Sequence, residues 1–176
     1  MKWIFSYIKR ELYDYKFASN KAKYLGQCAV ATLVIFIILI ALNALQFVGI
    51  IASIGATLFI VFTSPHSELS RSKYIIGGYV LAITFGGLFG WCSGLIHDHM
   101  IPFIVDYRFI IFGTLALGFT VFGMVITNTE HPPAASLALG FVLDETTMRA
   151  VIVTLFALFV ILSYRHIYRE YMIDLI

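Results

Sequence analysis

Thr127-Asn128-Thr129-Glu130-His131-Pro132-Pro133-Ala134-Ala135-Ser136 separates two apolar runs with hydroxyls, an amide, a carboxylate, an imidazole and two adjacent prolines. Such groups are expensive beside a bilayer core, and ionisable residues at that depth mark functional sites by default. Broken backbone is tolerated there only where protein or a water-filled cavity satisfies it. Pro132 and Pro133 suit the first turn of a helix, where no amide donor is needed, and Asn128 or Thr129 can serve as its N-cap. The stretch reads as a helix end, a polar break and the start of a second helix.

Composition reaches the membrane independently. With 60% hydrophobic residues, 12% charged residues and a mean hydropathy of +0.91, the chain lies outside the range of soluble domains. Its 176 residues leave room for one compact bundle, not for a bundle plus a separate soluble domain. A formal charge of +2, dispersed along the chain, gives no footprint for nucleic acid. Cys28 and Cys92 lie inside apolar runs and read as small buried hydrophobes rather than a disulfide.

Five apolar segments cover residues 24–45, 46–63, 74–96, 109–127 and 147–164. A bilayer core takes about 20 residues of helix, in a range of about 17 to 25. The second and fifth segments sit at the short end of that range. A sixth run, 134–143, is too short to cross and reads as a re-entrant or interfacial half-helix. The expected fold is therefore all-α: a polytopic transmembrane helical bundle of about five spans, proline-broken after the fourth.

Residues 1–23 are too charged for a cleavable signal peptide. Ile4, Tyr7, Ile8, Leu12 and Tyr15 recur at helical spacing among Lys2, Lys9, Arg10 and Lys16, the pattern of a basic amphipathic interfacial helix. Residues 24–164 then form the bundle and 165–176 a C-terminal tail. Lys and Arg counts place the N-terminus in the cytoplasm. Five spans put nine basic residues inside and three (Arg108, Arg165, Arg169) outside, and four spans give the same split, so charge does not choose between them. A repeat favours five. Gly55-Ala56-Thr57-Leu58-Phe59 and Gly118-Phe119-Thr120-Val121-Phe122 share a G-x-T-x-F pattern, and each precedes a Pro/His break and then Gly-aromatic-Val. Equivalent crossings would carry both breaks to one face, as a parallel repeat, and leave the C-terminus outside.

Helix starts carry roughly half a positive charge and offer free N–H groups to anions. The break at Thr129 and Ser136 adds hydroxyls, and Ser64-Pro65-His66-Ser67 has the same character before the next helix. Two such breaks meeting would form a small polar pocket, with His66 and His131 facing one water-filled cavity. Glu68 and Glu130 oppose an anion unless protonated, paired or turned to solvent. Arg71 and Lys73 can partner Glu68, whereas Glu130 either points to water or serves as a proton-coupling group. His97-Asp98-His99, near Asp106, lacks a third strong ligand at defined spacing and reads as a polar outer loop. Gly86, Gly90 and Gly94 share one helix face suited to close packing, within the protein or in a homo-oligomer.

His131-Pro132-Pro133, followed by small residues and Gly140, resembles the signature of the HPP family of integral membrane proteins. Ser64-Pro65-His66-Ser67-Glu68-Leu69 through Ile76-Gly77-Gly78 is similar to a second block of that family, and together the matches span roughly residues 25–163. Many family members add paired CBS domains. None is recognised in this sequence, so adenylate sensing is not carried over. Members in cyanobacteria and plastids are implicated in nitrite uptake, which implies a transporter or channel for nitrite or a similar small anion. The resemblance implies roles for Pro65, His66, His131, Pro132 and Pro133. The breaks add Ser64, Ser67, Asn128, Thr129, Glu130 and Ser136 as substrate-binding candidates. No catalytic residue, metal site, cofactor or nucleic-acid partner is expected, and the chain is not read as an enzyme. The expected setting is lipid, in the plasma (inner) membrane of a bacterium. The rivals are a non-transporting homo-oligomeric scaffold and an intramembrane metal-binding protein using His66, His97, His99 and His131. The topology sets the middle pair of those histidines on the opposite face from the outer two.

Overall fold

The computed structural model describes residues 15–42, 47–96, 101–144 and 147–175. They form six α-helices: α1 (Tyr15–Leu42), α2 (Val48–Thr63), α3 (Ser72–Gly94), α4 (Pro102–Thr127), α5 (Pro132–Leu143) and α6 (Met148–Tyr168), with a 3-10 turn at Glu68–Ser70. Local chemistry sets several of these starts. Pro102 opens α4, paired prolines open α5, and the Thr147 hydroxyl accepts the Ala150 N–H at 3.2 Å to cap α6. Helix α1 takes non-helical angles at Asn20 (φ −129°, ψ 28°), close to the expected boundary between interfacial and spanning helix. Ile4, Tyr7, Ile8 and Leu12 lie outside the described residues.

Among the described residues four helices are long and apolar enough to cross a membrane: Asn20–Ile40, Ser72–Gly94, Pro102–Thr127 and Met148–Tyr168. Helices α2 and α5 are shorter, at 16 and 12 residues. Large apolar side chains face outward along the bundle, Ile126 at 67% and Phe159 at 69% exposure. That outer surface suits lipid. Cys28 faces outward too, contrary to its reading as a buried hydrophobe, and Cys92 is half-buried; both are free thiols.

The helices alternate in direction, which corrects the five-span expectation. At one end, here the proximal end, the C-terminal tail folds back on the bundle. The Leu175 N–H donates to the Thr63 carbonyl at 2.7 Å, and the Tyr24 hydroxyl donates to the Leu175 carbonyl at 3.0 Å. Gln27 of α1 donates to the carbonyls of Phe62 and Ile173. The start of α1, the end of α2, residues 64–71 and the C-terminal tail therefore share the proximal end. At the distal end the Asp144 carboxylate, just past α5, accepts the Gly49 N–H at 3.0 Å. Helix α5 thus does not turn back after the break. It continues to the distal end, α6 starts from there, and the chain returns to the side from which α1 began.

Helices α2 and α4 both run toward the proximal end, and the two Pro/His breaks lie there, as the repeat implied. Helix α5 occupies the centre, packed against α2, α3 and α4. Glycines make room for it. A Cβ at Gly49 would lie 2.5 Å from Gly140 Cα, and one at Gly86 would lie 2.9 Å from Ala138 Cα. Gly113 meets Leu139 in the same way, at 2.7 Å. Small residues that let backbones approach are the usual means of tight packing in membranes. Gly86 is buried against α5 and has no free face for a second copy. Gly90 and Gly94 line a cavity instead, and Gly94 has nothing within 4 Å of its Cβ position. The three glycines therefore do not form one contact face.

Candidate functional site

Asn128 takes left-handed angles (φ 51°, ψ 54°) and ends α4, while the Thr129 N–H donates back to the Met124 carbonyl at 3.0 Å. Neither residue caps α5, contrary to expectation; the residue in that position is His131, in extended conformation. The reason is the left-handed turn, which takes up Asn128 and carries the chain inward. Thr129 fits against Gly77, where any side chain would overlap it, and its hydroxyl meets that of Thr127 at 2.7 Å. The break then divides. Thr129, His131 and Pro133 are buried, while Asn128, Glu130, Pro132 and Ser136 are exposed.

His131 is fully buried. Its Nδ1 meets the Leu69 carbonyl at 3.2 Å and its Nε2 meets the Thr57 hydroxyl at 2.9 Å. A carbonyl only accepts, so Nδ1 carries the hydrogen and, in a neutral ring, Nε2 accepts from Thr57. The Thr57 hydroxyl lies 2.8 Å from the Tyr79 hydroxyl, which lies 3.0 Å from that of Ser53. Ser53 donates to the Pro133 carbonyl. Helices α2, α3 and α5 thus meet through one polar chain, every side chain of which is 0% exposed. Thr57 sits six residues before the end of α2, and Tyr79 seven after the start of α3. At 1.5 Å per residue, His131 is sunk roughly 9–10 Å below the proximal ends of its neighbours.

Ser53, Thr57 and Tyr79 are functional candidates that the sequence reading missed. Their signal was present: Ser53 and Thr57 are four apart in an otherwise apolar helix and share one face. His131 does not stand in a water-filled loop, as expected, because Gly77 and Gly78 let the break sink. A Cβ at Gly78 would lie 2.9 Å from His131 Cβ.

The two breaks meet, but not through both histidines. Residues 64–71 reach His131 by the Leu69 carbonyl. His66 is exposed, its ring 3.4 Å from the Asp174 carboxylate and its N–H donating to the same oxygen at 3.1 Å. Ser64 ends α2, Pro65 is buried, and Ser70 ties the turn by donating to the carbonyls of Pro65 (2.7 Å) and Ser67 (2.9 Å). Glu68 pairs with Arg71 at 3.5 Å. A cavity of about 340 Å³ between α4 and α5 is lined by Met124, Glu130, His131 and Pro132, but not by His66. The start of α5 offers fewer donors than expected. Pro132 and Pro133 have no N–H, the Ala134 N–H donates to the His131 carbonyl at 2.9 Å, and the Ser136 hydroxyl donates to Pro133. His97, Asp98 and His99 lie outside the described residues.

Two arginines add charge at opposite ends. Arg108, half-buried, borders a distal cavity of about 390 Å³ together with Ser93 and Trp91. It stacks on Phe109 and donates to the Ile96 carbonyl at 3.4 Å, and among the described residues it has no carboxylate partner. The Ser93 hydroxyl is buried there without a hydrogen-bond partner among the described residues. At the proximal end Arg165 is 7% exposed, and its Nε has no partner among the described residues.

An apolar outer surface around a buried chain of polar side chains defines a polytopic integral membrane protein of the helical class. The chain belongs to the HPP family: residues 17–171 match the family model described as the HPP transmembrane region. No curated protein and no solved structure matches it.

Proposed function

We propose that this protein moves a small monovalent anion of the size and charge of nitrite across the membrane, by translocation without covalent chemistry. The observation that carries the reading is the distal cavity. Its guanidinium, Arg108, has no carboxylate partner among the described residues, and its buried hydroxyl, Ser93, has none either. A half-buried cation and an unsatisfied donor favour an anionic occupant, and one arginine binds such an ion weakly enough to release it. Arg165 supports the same reading from the other end, since it is buried and has no counter-ion among the described residues, which is costly. Between the two ends, Ser53, Thr57 and Tyr79 supply neutral hydroxyls rather than fixed charge. Glu130 is exposed at the proximal break, where it borders the cavity beside His131.

Charge also supports an orientation. Lys21, Lys23, Arg71, Lys73, Arg165 and Arg169 belong to the proximal end, and Arg108 and Arg149 to the distal end. By the positive-inside rule the proximal end faces the cytoplasm, with Arg108 on the opposite side.

Flux of nitrite, nitrate, formate and chloride into vesicles containing purified protein tests the reading. Nitrite should move, and Arg108→Gln should lower its flux about tenfold, the effect of losing one charge-assisted contact. Protein that is folded but moves none of these anions would make the scaffold the better account.

A further inference from the structure

The buried chain has a property that follows from counting hydrogens. It contains five contacts in series: Leu69 carbonyl to His131, His131 to Thr57, Thr57 to Tyr79, Tyr79 to Ser53, and Ser53 to the Pro133 carbonyl. Both ends are carbonyl oxygens, which only accept. A neutral imidazole supplies one hydrogen and each of the three hydroxyls supplies one. Four hydrogens cannot fill five contacts. In the neutral chain, two facing acceptors somewhere along it have no hydrogen between them.

One added proton removes the defect. With both ring nitrogens of His131 protonated, Nδ1–H donates to Leu69, Nε2–H donates to Thr57, Thr57 to Tyr79, Tyr79 to Ser53, and Ser53 to Pro133. Every contact is then filled, with all donation running outward from the imidazole. We propose that this chain is a one-proton binding site in the core of the bundle, with His131 as the protonated residue and Thr57, Tyr79 and Ser53 as the groups that favour its charged form. The hydroxyls can reverse their donation in turn, so the empty contact can lie at any position along α2 and α3. The chain thereby runs from the Leu69 carbonyl through α2 and α3 and back to the Pro133 carbonyl at the start of α5.

Burial works against the charged imidazole, and the missing hydrogen works for it. The surroundings leave that balance to the chain itself. Helices α2 and α5 contain no charged residue, and the last three turns of α4, which meet the break, contain none. Helix α3 contributes Tyr79. The loop brings Glu68 and Arg71, which pair with each other, and Glu130 borders the cavity beside His131. The proton site stands on geometry alone. Its use as the coupling ion for an anion, moving one proton with one negative charge, rests on the transport reading above.

The test exploits a variant that never touches the histidine. Ser53→Ala leaves three contacts from Leu69 to Tyr79 and three hydrogens to fill them, so the deficit disappears. Tyr79→Phe does the same by cutting the chain elsewhere. Full-length protein in nanodiscs, with labelled histidine and the His131 resonance assigned by its loss in His131→Asn, is titrated by NMR from about pH 8 to about pH 4. In the unaltered protein His131 should gain its proton about one pH unit or more higher than in either variant, the size expected from one unmade buried contact. Identical titration in all three proteins, or a higher midpoint in the variants, would overturn the proposal. Because the two variants act at different positions, misfolding of one leaves the other to decide. Nitrite flux in vesicles is read separately. A shifted titration without flux keeps the proton site and removes the transport reading, whereas flux with an unshifted titration does the reverse.

Discussion

Gly49→Ala and Gly55→Ala place the same methyl group on the same helix and should change stability in opposite directions. At Gly49 the new carbon would lie 2.5 Å from Gly140 Cα, 3.3 Å from an Asp144 carboxylate oxygen and 3.5 Å from the Gly140 nitrogen. The closest of these is backbone, which has no rotamer to move. Helix α2 must shift from α5, stretching the Gly49–Asp144 hydrogen bond and disturbing Ser53 and Thr57 one and two turns on. Overpacking of this kind costs about 1–3 kcal/mol, with a backbone clash at the upper end. Replacing glycine by alanine inside a helix returns about 1 kcal/mol. The net loss is then about 2 kcal/mol. At Gly55 nothing lies within 4 Å of the Cβ position, so only the gain of up to about 1 kcal/mol remains. The difference of about 3 kcal/mol corresponds to roughly 6–12 °C in Tm for a chain of this size. Circular dichroism melts of both variants in one detergent would read it. A neutral Gly49→Ala, or equal shifts in both variants, would refute the close packing of α2 on α5.

His131→Ala should cost about 3 kcal/mol, because it opens a cavity and leaves Thr57 and the Leu69 carbonyl without their partner. His66→Ala, at an exposed ion pair, should stay within about 0.5 kcal/mol by the same melts; equal losses would contradict the buried chain. Reporters fused to the N- and C-termini of the full chain should be active in the same compartment, and activity on opposite sides would restore an odd number of crossings.

The polar break, the helical class, the shared side of the two Pro/His elements and the family were legible from residues alone, because each rests on local pattern. The path of residues 134–143 was not. A 12-residue helix fails a length criterion that assumes lipid on all sides, whereas α5 has protein on three sides and need not span alone. The side chain of Asn128 suits a cap for the following helix. Its backbone instead adopts the left-handed angles that Asn tolerates, a choice fixed by where α4 must end. Ser53, Thr57 and Tyr79 sit in apolar helices, and only their convergence on His131 sets them apart from ordinary helix hydroxyls such as Thr84, which bonds its own helix at Val80.

Sinking the break and building the polar chain are one structural event. A helix that begins 9–10 Å below its neighbours' ends brings loop backbone to a depth where water cannot satisfy it, so partners must come from protein. Gly77 and Gly78 provide the space, since Thr129 and His131 occupy the volume their side chains would fill. The loop 64–71 then closes over the break and lends its Leu69 carbonyl, while α2 turns Thr57 and Ser53 toward it. A larger residue at Gly78 would lift His131 away from Thr57 and disconnect α2 from α5 by the same displacement. The Gly77-Gly78 pair in the earlier block and the His131-Pro132-Pro133 element in the later one are thus two halves of one contact. That contact joins the two blocks in this chain without His66 and His131 sharing a cavity.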